Sequence, residues 1–462
     1  MIQKHVQHLY NRLGFGILPK QLKELSKKSK EEIVDNLLDN SKKITPLEVD
    51  ISELKAAFKN MIMMGNPDKD TRQKLQKISR QKQLDLNIAW VERLTNPTEL
   101  LREKMTLFWA NHFVCRDNNI VFIQNFNNTL RKHALGDFRN FVKAVSKEAA
   151  MTKYLNTKQN KKQKPNENFA RELMELFTLG VGNYTENDIK ESARAFTGYG
   201  HNFVGEFVFK QRQHDDGVKR FLGQSGNFKG DDIVDIILEQ KQCAKYICEK
   251  IYAYFVNDVL NNHHISEMAE VFYKDYNIEN LMRHIFMSDW FYNKEHIGSK
   301  IKSPIEFIVG IKTLVPIQFK NAKQQIYLQG LLGQTLLNPP NVAGWKGGKS
   351  WIDSNTIALR LKLPSLLLNS AYISKARKGE LDVGIEKKKQ FYKKNYGKRF
   401  NVVCDWEYFK KQFDEVEVND LQSYVLACPI SSNAKAYLNT LNKISKQEYC
   451  IQLMSLPEYQ MC

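Results

Sequence analysis

Apolar residues recur at spacings of three and four along most of the chain, the pattern of helices that turn one face to a core. It predicts helices near 19–39, 50–62, 71–94, 98–115 and 120–147, and again at 230–239, 241–257, 264–288 and 303–334, with shorter ones to the end. The run Thr98 to Val114 (TELLREKMTLFWANHFV) reads as one buried helix, with Thr98 as N-cap and Leu100, Met105, Phe108, Trp109 and Phe113 as core. A Lys/Asn/Gln-rich loop at 156–165 ends on Pro165, and a helix over about 167–179 stops at Gly180. Thr185 and Asp188 then stand at the spacing of a capping box. Period-two alternation occurs around Gly205, in Asn202 to Phe209, and Lys219 to Leu222 could pair with it. The expected fold is therefore mainly α, a multi-helix globular array with one small β-hairpin near 200–223. Residues 1–375 read as one helical domain with the hairpin embedded, and 376–462 as a lysine-rich helical C-terminal subdomain.

Composition adds a bias in charge. The 462 residues are 42% hydrophobic, ample for a large core, and 69 Lys and Arg against 51 Asp and Glu give +18. Such an excess favours anionic partners. Much of it lies in lysine tracts, Lys158 to Lys164 and Lys387 to Lys398, which read as exposed loops or helix faces. Zinc-finger spacing, an aromatic RNA-binding pattern and a basic heptad are all missing, which disfavours nucleic acid. Seven cysteines form no CxxC pair, so a reduced compartment fits best. The N-terminus lacks a signal-peptide apolar run, and no stretch approaches the roughly 18 apolar residues of a membrane span. A cytoplasmic location is expected on that ground.

Candidate chemistry concentrates in four places. On the helix from Asn166 to Phe177, Asn168, Arg171, Glu172 and Glu175 fall within about a third of the circumference. Two carboxylates beside an arginine can hold a divalent metal or act as an acid–base pair; the bland reading is a solvated face with an Arg171–Glu175 pair. In the loop Gln211 to Gly217, His214 and Asp215 offer a ligand or base, or are simply turn chemistry before Asp216-Gly217. His112, on an apolar helix, is either a ligand or a satisfied core residue. The segment Gly344 to Trp351 follows Pro339-Pro340 and combines glycines, lysines and two tryptophans, including Trp345. It misses phosphate-loop spacing and reads as a rigid loop packed by its own tryptophans.

Taken together, these stretches resemble a bacterial family catalogued as a domain of unknown function, number eighteen hundred. The resembling residues run in order from His8 to Gly16, Glu103 to Phe113, Asn166 to Gly180 (NENFARELMELFTLG), Tyr184 to Glu186 and Ala193 to Tyr199. They continue through His214-Asp215 with Lys219 and Phe221 to Gly223, Lys302 to Glu306, Gly333-Gln334 and Pro339 to Trp345 (PPNVAGW). The resemblance implies a helical secreted or periplasmic protein, often encoded beside a second family with a sulfatase-like fold. Without a signal, a periplasmic location requires co-export with a signal-bearing partner.

Two functions follow as expectations. The first is an accessory or binding protein acting with a sulfatase-like partner on an anionic or extracellular target. The second is a metal-dependent hydrolase in which Glu172 and Glu175, with His214, Asp215 or His112, hold a divalent ion, while Arg171, Arg194 or Lys219 steadies an anionic group. Glu172, Arg171, Arg194 and Asn168 could equally form a buried structural network.

Overall fold

Local stop signals cut the long helical stretches into shorter rods. Ser29 and Glu32 close a capping box that separates helix Pro19–Leu25 from Lys30–Asn40. Gly136 and the cap of Asp137 divide the 120–147 stretch. Tyr276, in the left-handed conformation at φ 52°, and the cap of Asn277 divide Asn262–Asp275 from Ile278–Met287. Thr98 does not cap the helix it precedes: that helix is Leu100–His112, and the Thr98 hydroxyl donates to Glu99 instead. The capping box of Thr185 and Asp188 is present at the start of Glu186–Ala195.

The computed structural model describes residues 1–64, 68–369, 400–441 and 444–462. It is mainly α-helical, with three small two-stranded antiparallel sheets among the described residues. The β signal near 200–223 resolves into two local hairpins, not one. Strand β1 (Tyr199–His201) pairs with β2 (Phe207–Phe209), and β3 (Lys219–Phe221) with β4 (Gln224–Gly226). Each strand closes on its nearest neighbour across a glycine-bearing turn, which costs less loop entropy than pairing across the His214 loop. Strands β5 (Ile317–Phe319) and β6 (Val402–Cys404) form the third sheet, joining residues far apart in sequence.

Two apolar cores are present. The larger gathers residues from Val6 to Leu336; the smaller joins Phe307, Ile311, Leu363 and Leu367 to Phe409, Leu421 and Met454. Helix Pro304–Leu314 (PIEFIVGIKTL) is buried along most of its length and serves both, with Ile305 and Val309 in the first and Phe307, Ile308 and Ile311 in the second. The 375/376 boundary and the Lys387 to Lys398 tract lie outside the described residues. The last residues return to the start of this helix, where Cys462 N donates to Lys300 O and Lys302 N to Gln460 O. Among the described residues no helix is long and apolar enough to cross a membrane.

Candidate functional site

The helix beginning at Asn168 is α-helical only to Glu172, and Leu173–Thr178 continues it as a π-helix. A π turn is rare and often marks a functional site, because it displaces carbonyls that must then find other donors. Those donors are present. Leu179 N reaches Met174 O, five residues back, at 2.9 Å. The Tyr246 hydroxyl donates to Leu176 O at 3.1 Å, and Gln242 Nε2 to Leu179 O at 3.0 Å. His112 Nε2 lies 3.0 Å from Phe177 O; a carbonyl only accepts, so this nitrogen carries the proton. The ring is buried among Phe108, Trp109, Phe113 and Phe177, and burial pushes its pKa down to about 3. His112 is therefore a neutral donor that holds the π turn against the Leu100–His112 helix.

The same turn redistributes the helix's charges. Arg171 grips both oxygens of Glu186 at 2.9 Å and reaches Glu167 at 3.4 Å. The pair with Glu175 that α-helical spacing suggests does not form, because the widened turn carries Glu175 out of line. Glu175 instead accepts the Tyr184 hydroxyl at 2.9 Å. Asn168 is exposed. Glu172 is half-buried and accepts no hydrogen bond among the described residues; burial, and then the charge of Glu175, raise its pKa against the opposing pull of Arg171.

Arg194 organises the loop of His214. Its Nε and Nη2 reach the two oxygens of Asp215 at 2.7 and 3.2 Å, and Nη1 meets both oxygens of Glu191 at 3.0 Å. The Arg194 hydrogen bond holds the Asp215 carboxyl below its usual range. Thr197 completes the closure by accepting Asp215 N at 2.8 Å and placing its carbonyl 2.9 Å from His214 Nδ1. His214 thus donates from Nδ1, and its buried Nε2 has no partner among the described residues. Lys219 is fully buried on β3, gives its ammonium to Asp215 O and Asn227, and has its pKa lowered by burial.

The single network of Glu172, Arg171, Arg194 and Asn168 weighed from the sequence is thus replaced by two separate ones, around Arg171 and around Arg194. Glu172 and Asn168 belong to neither. Among the described residues no three His, Cys, Asp or Glu side chains converge as a set able to hold a metal ion. Glu172, Glu175, His214, Asp215 and His112 are accordingly not gathered around one point.

Trp345 is buried, and its backbone is read in both directions by one side chain. Asn111 Oδ1 accepts from Trp345 N at 2.7 Å and Asn111 Nδ2 donates to Trp345 O at 3.0 Å. Other charges are buried on the same helix. Glu103, about 1% exposed, takes Arg131 Nε at 2.6 Å and Nη2 at 3.1 Å, with Trp90 and Arg93 behind. Its neighbour Lys104 pairs with Glu306, whose capping box with Ser303 starts helix Pro304–Leu314. The signal was there: adjacent charges inside an otherwise apolar helix must be buried together with partners.

The conspicuous stretches of the sequence therefore meet one another in the interior. The WANHF segment clasps both the PPNVAGW loop and the π turn, and its helix is tied to the Ser303 cap. No curated protein and no solved structure matches the chain. A family model does, over residues 8–461, a span that takes in every one of these contacts. The chain belongs to the family described as Protein of unknown function (DUF1800).

Proposed function

We propose that this protein is an accessory binding protein, which docks a sulfatase-like partner and an anionic target, and that its polar groups serve the scaffold. The observation that carries this reading is the commitment of three of the candidate groups. Asp215 is clamped by Arg194, Lys219 is spent on a backbone carbonyl, and His112 is a neutral donor inside the core. A general base must be able to accept a proton from a substrate within hydrogen-bond reach, and these groups are held by the protein's own side chains and backbone. The sulfatase-like partner comes from what the family resemblance implies; the charge of +18 supports an anionic target.

The test is co-expression with a sulfatase-like protein of the kind the family resemblance implies, followed by tandem purification and size-exclusion chromatography with light scattering. A stoichiometric complex is expected, with the partner's yield or ester hydrolysis raised by this chain. Separate elution together with unchanged partner yield and activity would refute the accessory role.

A second reading rests on Glu172, the one candidate carboxylate that accepts no hydrogen bond and has a raised pKa beside a π turn. Metal content of the purified protein, compared with a Glu172→Ala/Glu175→Ala variant, tests it. A near-stoichiometric divalent metal lost in the variant would favour hydrolysis; a metal-free, folded protein in both cases would end that reading.

A further inference from the structure

The lysine tract that reads as a solvated loop is a built cleft. Lys158, Lys161, Lys164 and Lys210 line it together with Gln159, Pro165, Asn166 and Gln213, enclosing about 450 Å³. That is the size range of small-molecule sites. No carboxylate lines it, and none of the four ammoniums has a carboxylate within ion-pair distance among the described residues. Most acidic groups on neighbouring elements are already committed to other cations, and Asp216 accepts from Gln211 Nε2 at 3.0 Å. Glu167 and Glu186 face Arg171, Glu191 and Asp215 face Arg194, and Asp117 faces Lys153.

The loop is also anchored. Asn160 is about 1% exposed, and its side chain donates to Ala193 O at 2.7 Å and accepts from Asn166 N at 2.9 Å. Its backbone carbonyl takes Gly198 N at 3.1 Å, and Gly198 O takes Lys210 N at 2.8 Å. Lys161 and Lys164 pair backbone to backbone, and Lys162 N is fixed to Gln213 O at 2.9 Å. Four like charges are thus held facing one space by a rigid frame, an arrangement whose repulsion a bound anion relieves.

The lining selects among anions. Lysine ammoniums are compact point charges that suit sulfate or phosphate without demanding forked geometry. Gln159, Asn166 and Gln213 add amide donors and acceptors suited to hydroxyls. No aromatic ring is available to stack a base, which argues against single-stranded nucleic acid. We infer that the Lys158–Lys161–Lys164–Lys210 cleft binds an anionic oligosaccharide, its sulfate or phosphate esters on the lysines and its hydroxyls on the amides. This assigns a place to the anionic target of the accessory reading and rests on that reading, but its test does not involve the protein partner.

The experiment is fluorescence anisotropy at low salt with labelled dextran oligosaccharides that are sulfated, phosphorylated or uncharged, and with a single-stranded DNA of equal charge. The full chain, a Lys161→Gln/Lys164→Gln variant and a Lys346→Gln/Lys349→Gln control on another exposed loop are compared, with circular dichroism confirming the fold. Binding of an anionic dextran that the first variant weakens by about tenfold or more, the control by less than about twofold, is expected. The sulfated and phosphorylated arms identify which ester is preferred. Equal weakening in both variants would reduce the effect to net charge and overturn the site. Tighter binding of the DNA would overturn the ligand class. No binding of any anionic dextran would overturn the proposal while leaving the partner complex to be judged by its own test.

Discussion

Glu103 and Arg131 are the sharpest place to ask whether the buried charges hold the fold together. Each is about 1% exposed, so removing one leaves the other desolvated without its principal counter-charge. Breaking such a pair from one side costs about 3–5 kcal/mol, whereas replacing both partners is often nearly neutral. The geometry ranks the two single variants. In Glu103→Gln, Arg131 keeps Asn127 Oδ1 at 2.9 Å, Asn128 Oδ1 at 2.7 Å and one amide oxygen, which puts the loss near the lower figure, about 3 kcal/mol. In Arg131→Met, Glu103 retains only Trp90 Nε1 at 3.3 Å and Arg93 at 3.5 Å, weak replacements at the edge of hydrogen-bond range. Its loss belongs near the upper figure, about 5 kcal/mol. The double variant Glu103→Gln/Arg131→Met removes both members of the buried pair, leaves the partly exposed Arg93 on Thr45 O and Pro46 O, and is expected to recover about 2 kcal/mol or more relative to the sum of the singles. Urea titration followed by tryptophan fluorescence and far-ultraviolet circular dichroism measures all four proteins. An Arg131→Met cost below about 0.5 kcal/mol, or strict additivity in the double variant, would refute the reasoning.

Three further outcomes follow from the site. Because burial holds His112 neutral down to about pH 3 while the unfolded chain protonates it near 6.5, stability present above pH 6.5 is lost as pH falls through that window. Each unit is worth about 1.4 kcal/mol, and urea midpoints between pH 7 and 4 should fall less steeply in a His112→Gln variant; parallel slopes would contradict it. The raised carboxyl of Glu172 has the opposite sign: its folded form binds the proton more tightly than the unfolded, so ionisation at neutral pH destabilises. Glu172→Gln should therefore raise the urea midpoint at pH 7, by a few tenths of a kcal/mol after solvent screening, and lose that gain below the ordinary carboxyl range. Gly198 sits at φ +83° with space for a Cβ closed by Lys210 O at 2.7 Å. Gly198→Ala should cost about 2 kcal/mol or more and loosen the lysine cleft, seen as faster amide exchange at Lys210; wild-type stability and exchange would count against the anchoring.

The sequence by itself determined the helical class, the capping box at Thr185, and the stretches that matter, because periodicity, caps and turns act over a few residues. It overran helix boundaries at Ser29 and Tyr276, where a local cap or a left-handed residue ends an apolar stripe that continues beyond it. It placed a β signal near 200–223 but not the two hairpins, since strand partners depend on loop closure rather than on alternation. What only the tertiary structure decided is where each charge ends up. The Leu173–Thr178 π turn exists because Tyr246, His112 and Gln242 arrive from other helices to take its carbonyls, and that turn moves Glu175 away from Arg171. Arg194 finds Asp215 across 21 residues, and Glu103 finds Arg131 across 28. The lysines of 158–164 became a cleft only when Asn160 docked beneath Gly198. Local pattern records which residues seek the interior; burial of a charge is settled by partners distant in sequence, and those are chosen only when the helices pack.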